Sequence, residues 1–433
     1  MNYIEGLGGG SGFFEKVVLR APDFVFKQKE QGGRPLWPNG ISRKIMDPYY
    51  KIAEIMLRAH QIAPEKVPKT GQVFSLLMKN LNYTVDRGRY ADSYCSGCGY
   101  CIFGCTHNGK ESLLMNYLPK AVDYGTQIHT DKEVLEVRSL MESSKQLTLI
   151  KSRFIPFRYE TIVSDTNTKE KILYRSKYLI LAAGTIGTAK ILFNSKGNLS
   201  GLSHQVGKNV AINGSVKVAA LLPDWCPDVD MFTGQSHAGI VSYDFFKSHG
   251  VMISAVKALP LQLFGTARMS IDGQKYWGKE HVEFMKKYRK RVMILDAHGV
   301  TSPNAALILD RKNAIKPVMK INEEISNFYN ETKKIMESIL VENGCQLLNI
   351  DYINRKGQNF RNLHFHTAHQ VGSCRMAENK ENGVVDGRGE VFGYPGMYIT
   401  DGAAVPTSTG VNISLTILAN SERITHEILE SVA

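Results

Sequence analysis

The segment Leu179-Ile180-Leu181-Ala182-Ala183-Gly184-Thr185-Ile186-Gly187-Thr188 constrains the fold of this chain more than any other. A short apolar strand from Lys177 to Leu181 runs directly into a turn of small residues, and a helix is expected from about Thr188. Strand, small-residue turn and helix in that order form the shape of a nucleotide-binding crossover, which needs a parallel sheet and lets the backbone pack closely against a bound dinucleotide. The turn is not the G-x-G-x-x-G fingerprint, and no convincing copy of it occurs elsewhere in the chain. Taken alone, the segment is also compatible with an ordinary βα turn.

The 433 residues allow two or three domains, or two interleaved ones. No stretch reads as a membrane-spanning helix, because the uncharged run 402–421 is full of Gly, Pro, Ser, Thr and Asn. Fifty-three basic residues against forty-one acidic ones leave a formal charge of +12. The dense basic run Lys286, Lys287, Arg289, Lys290, Arg291 reads as a solvated helix face, and no nucleic-acid motif accompanies it. A peripheral place at an acidic membrane surface is the sharper reading of that run.

Other elements follow from local pattern. Asp47 is expected to cap a helix to about His60, with Pro48 at its first position. A helix is expected over 113–124 with Pro119 as a kink, then strands at 127–130, 134–138, 146–155 and 159–163. A strand at 251–256, a helix over 323–343 and a closing helix over 415–429 complete the reading.

Four of seven cysteines, Cys95, Cys98, Cys101 and Cys105, fall inside eleven residues. C-x₂-C-x₂-C-x₃-C is the spacing of a [4Fe–4S] ligand run, although Thr106 stands where proline is usual. Zinc, packed thiols and a disulfide remain alternatives. An odd count with one dense cluster reads as a cytosolic protein.

The opening loop Gly6-Leu7-Gly8-Gly9-Gly10-Ser11 would let backbone N–H groups approach a phosphate or a flat ring. The C-terminal words are more specific: His369-Gln370-Val371-Gly372-Ser373-Cys374-Arg375-Met376, Tyr398-Ile399-Thr400-Asp401-Gly402, Pro406-Thr407-Ser408, and Gly410-Val411-Asn412-Ile413-Ser414. With GLGGGS, LWPNGIS, the cysteine cluster and LILAAGTIGTAKIL, they make the chain resemble the glucose–methanol–choline (GMC) flavoprotein oxidoreductases. The branch it is most similar to holds cholesterol oxidases and long-chain alcohol oxidases.

That resemblance implies an α/β fold: an FAD-binding, Rossmann-like parallel sheet and an interleaved α+β substrate domain on an antiparallel sheet. Residues 1–24, 127–215 and 384–433 would form the FAD-binding domain, and 25–126 and 216–383 the substrate domain. By motif, His369 matches the active-site histidine and Asn412 the second catalytic position. A neutral imidazole near pKa 6.5 can take a hydroxyl proton as hydride leaves for the flavin, while a carboxamide can only hold the alcohol or the flavin edge in place. Gly8, Gly9, Gly10, Ser11, Val134, Ala183, Gly184, Asp401 and Gly402 match FAD-contacting positions, as does Asn412. The implied substrate is a bulky apolar alcohol, of sterol or long-chain type. The acceptor would be oxygen, or an electron-acceptor protein if the cysteines hold an iron–sulfur cluster.

The family's opening βαβ unit, with G-x-G-x-x-G, is not found in the sequence. The expectation is therefore a truncated or split-gene product, or a unit supplied by a separate polypeptide. A partner subunit without activity and an electron-transfer subunit are the competing readings. Lys16 stands where Asn is frequent in the family, and the stretch 254–260 lacks the glutamate of the cholesterol oxidases, which argues for simple alcohol oxidation without isomerisation. His364 and His366 beside the active-site word are read as packing or loop residues.

Overall fold

The computed structural model describes residues 4–30, 32–141, 157–235, 237–257, 268–270, 277–353, 359–360 and 367–432. The strand expected at 146–155 and the residues His364 and His366 lie outside them.

The apolar, β-branched runs in the middle of the chain build one antiparallel sheet. Its strands lie in the order Arg268–Ser270, Gln346–Ile353, Val216–Leu221, Val292–Gly299, Val251–Val256, His237–Ser242, Asp86–Arg87, with Asn359–Phe360 paired to Gln346–Ile353. Every residue of His237–Ser242, Val251–Val256 and Val292–Gly299 is buried, so these central strands are covered on both faces.

The two faces differ in chemistry, because side chains alternate along a strand. On Val292–Gly299, the positions Met293, Leu295, Ala297 and Gly299 form one set; a Cβ on Gly299 would meet Phe328, from the helix Glu323–Glu342, at 2.2 Å. Ile294, Asp296 and His298 form the other set. Asp296 sits opposite Lys217 on one neighbouring strand and Ser254 on the other, so a charged and hydroxyl-bearing row crosses the centre of that face. The helix Lys69–Asn80 packs on His237–Ser242 so closely that a Cβ at Gly71 would lie 1.9 Å from the Ala238 carbonyl oxygen.

The crossover expected from the sequence is present. Leu179–Leu181 pairs in parallel with Met397–Ile399 and leads into the helix Gly184–Ser195. That helix begins four residues earlier than expected: Gly184, at φ +78°, turns the chain, and its N–H is held by Asp401 (2.7 Å). Among the described residues this is the one parallel pair of strands, with a parallel bridge Met376–Val385 besides, narrower than the sequence implied. Beside it stands a three-stranded antiparallel sheet of Lys132–Ser139, Tyr159–Asp165 and Lys171–Ser176. Residues 127–130, expected as a strand, are exposed and outside any element.

Three helices depart from expectation for local reasons. The first runs Arg43–Met56, capped by Ser42, whose Oγ accepts from the Ile45 N–H. Asp47 is thus inside the helix, where it accepts from Arg20 (2.7 Å) and Arg43 (2.9 Å), and Pro48 is an interior proline. The second is shortened to Tyr117–Asp123 because Asn116 caps it, its Oδ1 accepting from the Tyr117 N–H (2.7 Å). In the third, Gly278–Arg291, the basic run is only partly solvated. Arg289 pairs with Asp230, Arg291 bonds to Asp228 and the Cys226 carbonyl, and Tyr288 is buried. The closing helix Ser414–Val432 packs on Arg43–Met56, where Tyr50 Oη meets Thr416 Oγ1 at 2.8 Å. No helix among the described residues is long and apolar enough to cross a membrane.

Candidate active site

Asn213 organises the site. It lies at φ +58°, fully buried, and is followed by Gly214 at φ +42°. Asparagine tolerates this left-handed conformation better than most side chains, and here the amide is used completely. Its Oδ1 accepts from the N–H groups of Thr409 (3.0 Å) and Gly410 (2.9 Å). Its Nδ2 donates to the Val411 carbonyl (2.7 Å) and lies 3.2 Å from His369 Nδ1. One side chain thus fixes both the loop that presents Asn412 and the imidazole of His369.

Those bonds also fix the proton of His369. The amide oxygen is committed to two backbone donors, so the amide nitrogen is what faces the ring, and it donates. His369 Nδ1 accepts, and the neutral ring carries its hydrogen on Nε2. Burial pushes the imidazole down to about 3, with His298 adding to the effect and Asp296 opposing it. The His369 N–H donates to Thr367 Oγ1 (2.9 Å), whose hydroxyl donates to the Ile212 carbonyl. Asn412 is half-buried, and its Oδ1 is a buried acceptor with no partner among the described residues.

The polar row of the sheet meets His369. The His298 ring packs against His369 with centroids 4.6 Å apart. His298 Nε2 lies 3.3 Å from Asp296 Oδ2, and Lys217 Nζ donates to Asp296 Oδ1 (2.7 Å). Burial alone would raise the Asp296 carboxyl; Lys217 and His298 outweigh it and bring it to about 2. Burial lowers His298, against the pull of Asp296. His298 Nδ1 is a second buried atom without a partner among the described residues. Glu15, half-buried at the end of the glycine loop, is pushed up to about 7 by burial and by Asp296, with Lys217, Lys257 and Lys110 opposing.

The positions expected to meet a flavin dinucleotide fall into three groups. Asp401 is buried and ties the crossover turn to its own loop: it accepts from the N–H of Gly184 (2.7 Å), Thr188 Oγ1 (2.5 Å) and the N–H of Ala403 (2.7 Å). Gly402 lies against Thr185, where a Cβ would come 3.0 Å from Oγ1. Ala183 is exposed, and a Cβ on Gly184 would meet nothing within 4 Å. Gly9 and Gly10 likewise open onto free space, while Ser11 Oγ donates to the Gly8 carbonyl (2.7 Å) and accepts from the Leu113 N–H (3.0 Å). Val134 sits beside a register shift in its strand. Open glycine backbone on one side and the unpartnered Asn412 Oδ1 on the other fit a large, flat, phosphate-bearing cofactor.

The cysteines do not form a ligand set. The chain turns at Gly97, Gly99 and Gly104, all at positive φ, between successive cysteines. Cys95 Sγ accepts from Lys16 Nζ (2.8 Å), which is buried and also bonds Asp92 (2.5 Å); Cys98 is exposed and Cys101 buried. The Cys105 thiol, raised by burial, is brought below its usual value by the backbone N–H groups of Lys110, Gly109 and His107. Among the described residues no three His, Cys, Asp or Glu side chains are placed to hold a metal ion, so the expected iron–sulfur centre finds no support.

Sequence reasoning missed Asn213, Lys217, Asp296 and His298. Two signals were present: the Asn213-Gly214 dipeptide, and two polar residues spaced by two inside the apolar run 292–299.

Models of the GMC oxidoreductase family match residues 3–213 and 318–421, which together span both glycine turns, His369 and Asn412. The chain belongs to the GMC oxidoreductase family. It is similar to a cholesterol oxidase of Acinetobacter baumannii, 24% identical over 96% of this chain and 79% of that protein. A long-chain-alcohol oxidase of Arabidopsis thaliana is 23% identical over 98% of this chain, which spans 58% of the plant protein's length. In fold the GMC chain matches the formate oxidase of Aspergillus oryzae RIB40, with a TM-score of 0.66, 12% identity, and coverage of 98% of this chain and 84% of that one.

Proposed function

We propose that this site oxidises the CH–OH group of a bulky alcohol in an FAD-dependent reaction, with His369 and Asn412 at the alcohol oxygen. One observation carries the reading: Asn213 fixes the His369 ring and the loop leading to Asn412 together, and the Asn412 Oδ1 beside that loop is a buried acceptor without a partner among the described residues. FAD, when bound, supplies the acceptor for hydride. Asp401, Gly402, Ala183, Gly184, Val134 and the loop Gly8–Ser11 would hold it. Nε2–H of His369 donates to the alcohol oxygen, Asn412 holds the same oxygen or the cofactor edge, and the covered sheet excludes water from both.

The relatives named for cholesterol and long-chain alcohols support an apolar body for the substrate. Met252, Ile294 and Val256, on the same sheet face as His298, offer such a body a wall, and the row Lys217, Asp296, His298 receives its hydroxyl end. Oxygen or an electron-acceptor protein then takes the electrons. The test is anaerobic: the FAD-loaded protein is mixed with a panel of sterols, long-chain and short alcohols, and bleaching of the flavin band is followed. Reduction by at least one alcohol, lost in His369→Ala, supports the reading; a flavin that no alcohol reduces overturns it.

A further inference from the structure

We propose that Lys16 and Cys95 form a modification site at which dioxygen joins the lysine nitrogen to the cysteine sulfur through one oxygen atom, as an N–O–S crosslink. The bridge does not depend on which alcohol the His369 site takes.

Both ends of the pair are held in place. Lys16 is 1% exposed and sits at φ +58°, a backbone conformation that persists in a bulky residue only where its surroundings impose it. Its carbonyl accepts from the Ala91 N–H (2.8 Å), and Val17 beside it bridges to Tyr90. The side chain is thereby sent inward, with Nζ 5.3 Å from the centre of the Tyr90 ring. Nζ donates to Asp92 Oδ2 (2.5 Å) and to Cys95 Sγ (2.8 Å). The sulfur is held from its own side by a turn: the Gly97 N–H donates to Sγ (3.4 Å), and Gly97 lies at φ +71°. At the base of the cysteine loop Asp92 bridges to Lys110, and the Ser93 N–H donates to the Gly109 carbonyl (2.9 Å), which fixes where the sulfur stands.

A plain ion pair does not account for this arrangement, because Asp92 by itself neutralises the ammonium. The sulfur is a further partner, at 2.8 Å, the length of an ordinary N–H···O bond although sulfur is the larger atom. That is the span of a single oxygen bonded to both. A thiol beside a lysine nitrogen is also where cysteine oxidation starts readily. The oxidant has a route in: Cys95 is half-buried and lines a cavity of about 270 Å³ together with Ser96, Gly97, Pro68 and Gln235. Gln235 Oε1, a buried acceptor without a partner among the described residues, suits the water that the reaction releases.

The step balances. Thiol with amine, or thiolate with ammonium, carry three hydrogens on sulfur and nitrogen. Dioxygen takes two electrons from sulfur and two from nitrogen, and its O–O bond breaks. One oxygen forms the S–O and O–N bonds. The other leaves as water with two of the hydrogens, and the third hydrogen stays on nitrogen. Crosslinked, the nitrogen is no longer an ammonium, so the buried Asp92 loses that cation. In exchange, the segment that follows the glycine loop is tied covalently to the cysteine loop.

The test is mass spectrometry on the full chain, kept in air or handled without oxygen. In air, the intact mass should gain one oxygen and lose two hydrogens, and dithiothreitol should reverse the change. After unfolding, iodoacetamide should label one thiol fewer than the seven of the chain, and all seven after reduction. Trypsin should release a fragment that joins the peptides of Lys16 and Cys95. Cys95→Ser should keep its sequence mass in air, while Cys98→Ser, at the exposed neighbouring thiol, should still crosslink. Seven labelled thiols in air-exposed wild-type protein overturn the proposal. So does a loss of two hydrogens with no oxygen gained, which is a disulfide, or an oxygen gained with trypsin still cutting after Lys16, which is oxidised cysteine alone.

Discussion

Replacing Asn213 by alanine probes the centre of the molecule more directly than any change at the imidazoles. The substitution leaves the N–H groups of Thr409 and Gly410 buried without their acceptor, while the Val411 carbonyl keeps only the Thr409 hydroxyl. Each such orphan costs about 1–3 kcal/mol, so two of them, partly relaxed, cost roughly 2–5 kcal/mol. Holding an alanine at φ +58° adds about 1 kcal/mol. Against a typical total stability of about 5–15 kcal/mol this is a large fraction. Urea unfolding followed by the fluorescence of Trp37, Trp225 and Trp277 should show a much lower midpoint with an unchanged slope. Asn213→Asp keeps the acceptor for Thr409 and Gly410 and should lose less. A loss under about 1 kcal/mol for Asn213→Ala, at equal slope, would refute the claim that this amide is buried and fully used.

Other consequences are as direct. Gly71→Ala forces the helix Lys69–Asn80 off the Ala238 carbonyl and should cost about 1–3 kcal/mol, seen as a lower Tm. His237 is held down at about 4 and His369 at about 3, so between there and the ordinary value near 6.5 the unfolded chain binds protons that the native chain does not. Stability should be full above pH 6.5 and fall as pH drops toward 4, with a shallower fall in His237→Gln, checked by urea midpoints at pH 7.5 and 5. Asp401→Ala removes two bonds from the crossover to this loop and one within the loop, and should weaken FAD binding about 10-fold or more in a fluorescence titration. Protein made in iron-replete medium should contain no stoichiometric iron by metal analysis, and Cys98→Ser, at an exposed thiol, should leave its visible spectrum unchanged.

Local pattern revealed the crossover, the strand Val251–Val256 and the two long C-terminal helices, because each follows from the spacing of apolar residues along a continuous segment. His369 and Asn412 were legible as words. Their relation was not, since it passes through Asn213, 156 residues from His369 and 198 from the Val411 carbonyl beside Asn412, and joined to them only by folding. The helix starts at Ser42 and Asn116 were missed for the opposite reason: one side-chain oxygen decides each, and the apolar period is blind to it. The cysteine spacing left several readings open because ligand sets depend on where thiols end up, and positive-φ glycines between them redirect the chain.

The two-faced strand Val292–Gly299 carries a consequence beyond chemistry. Slipping it by one residue would drive Asp296 and His298 among the side chains under the helix Glu323–Glu342 and turn Leu295 and Ala297 toward the face that meets His369. The charged row on that face thus also proofreads assembly: a misaligned sheet would strand an ionised carboxylate in oil, and such chains should unravel before they accumulate.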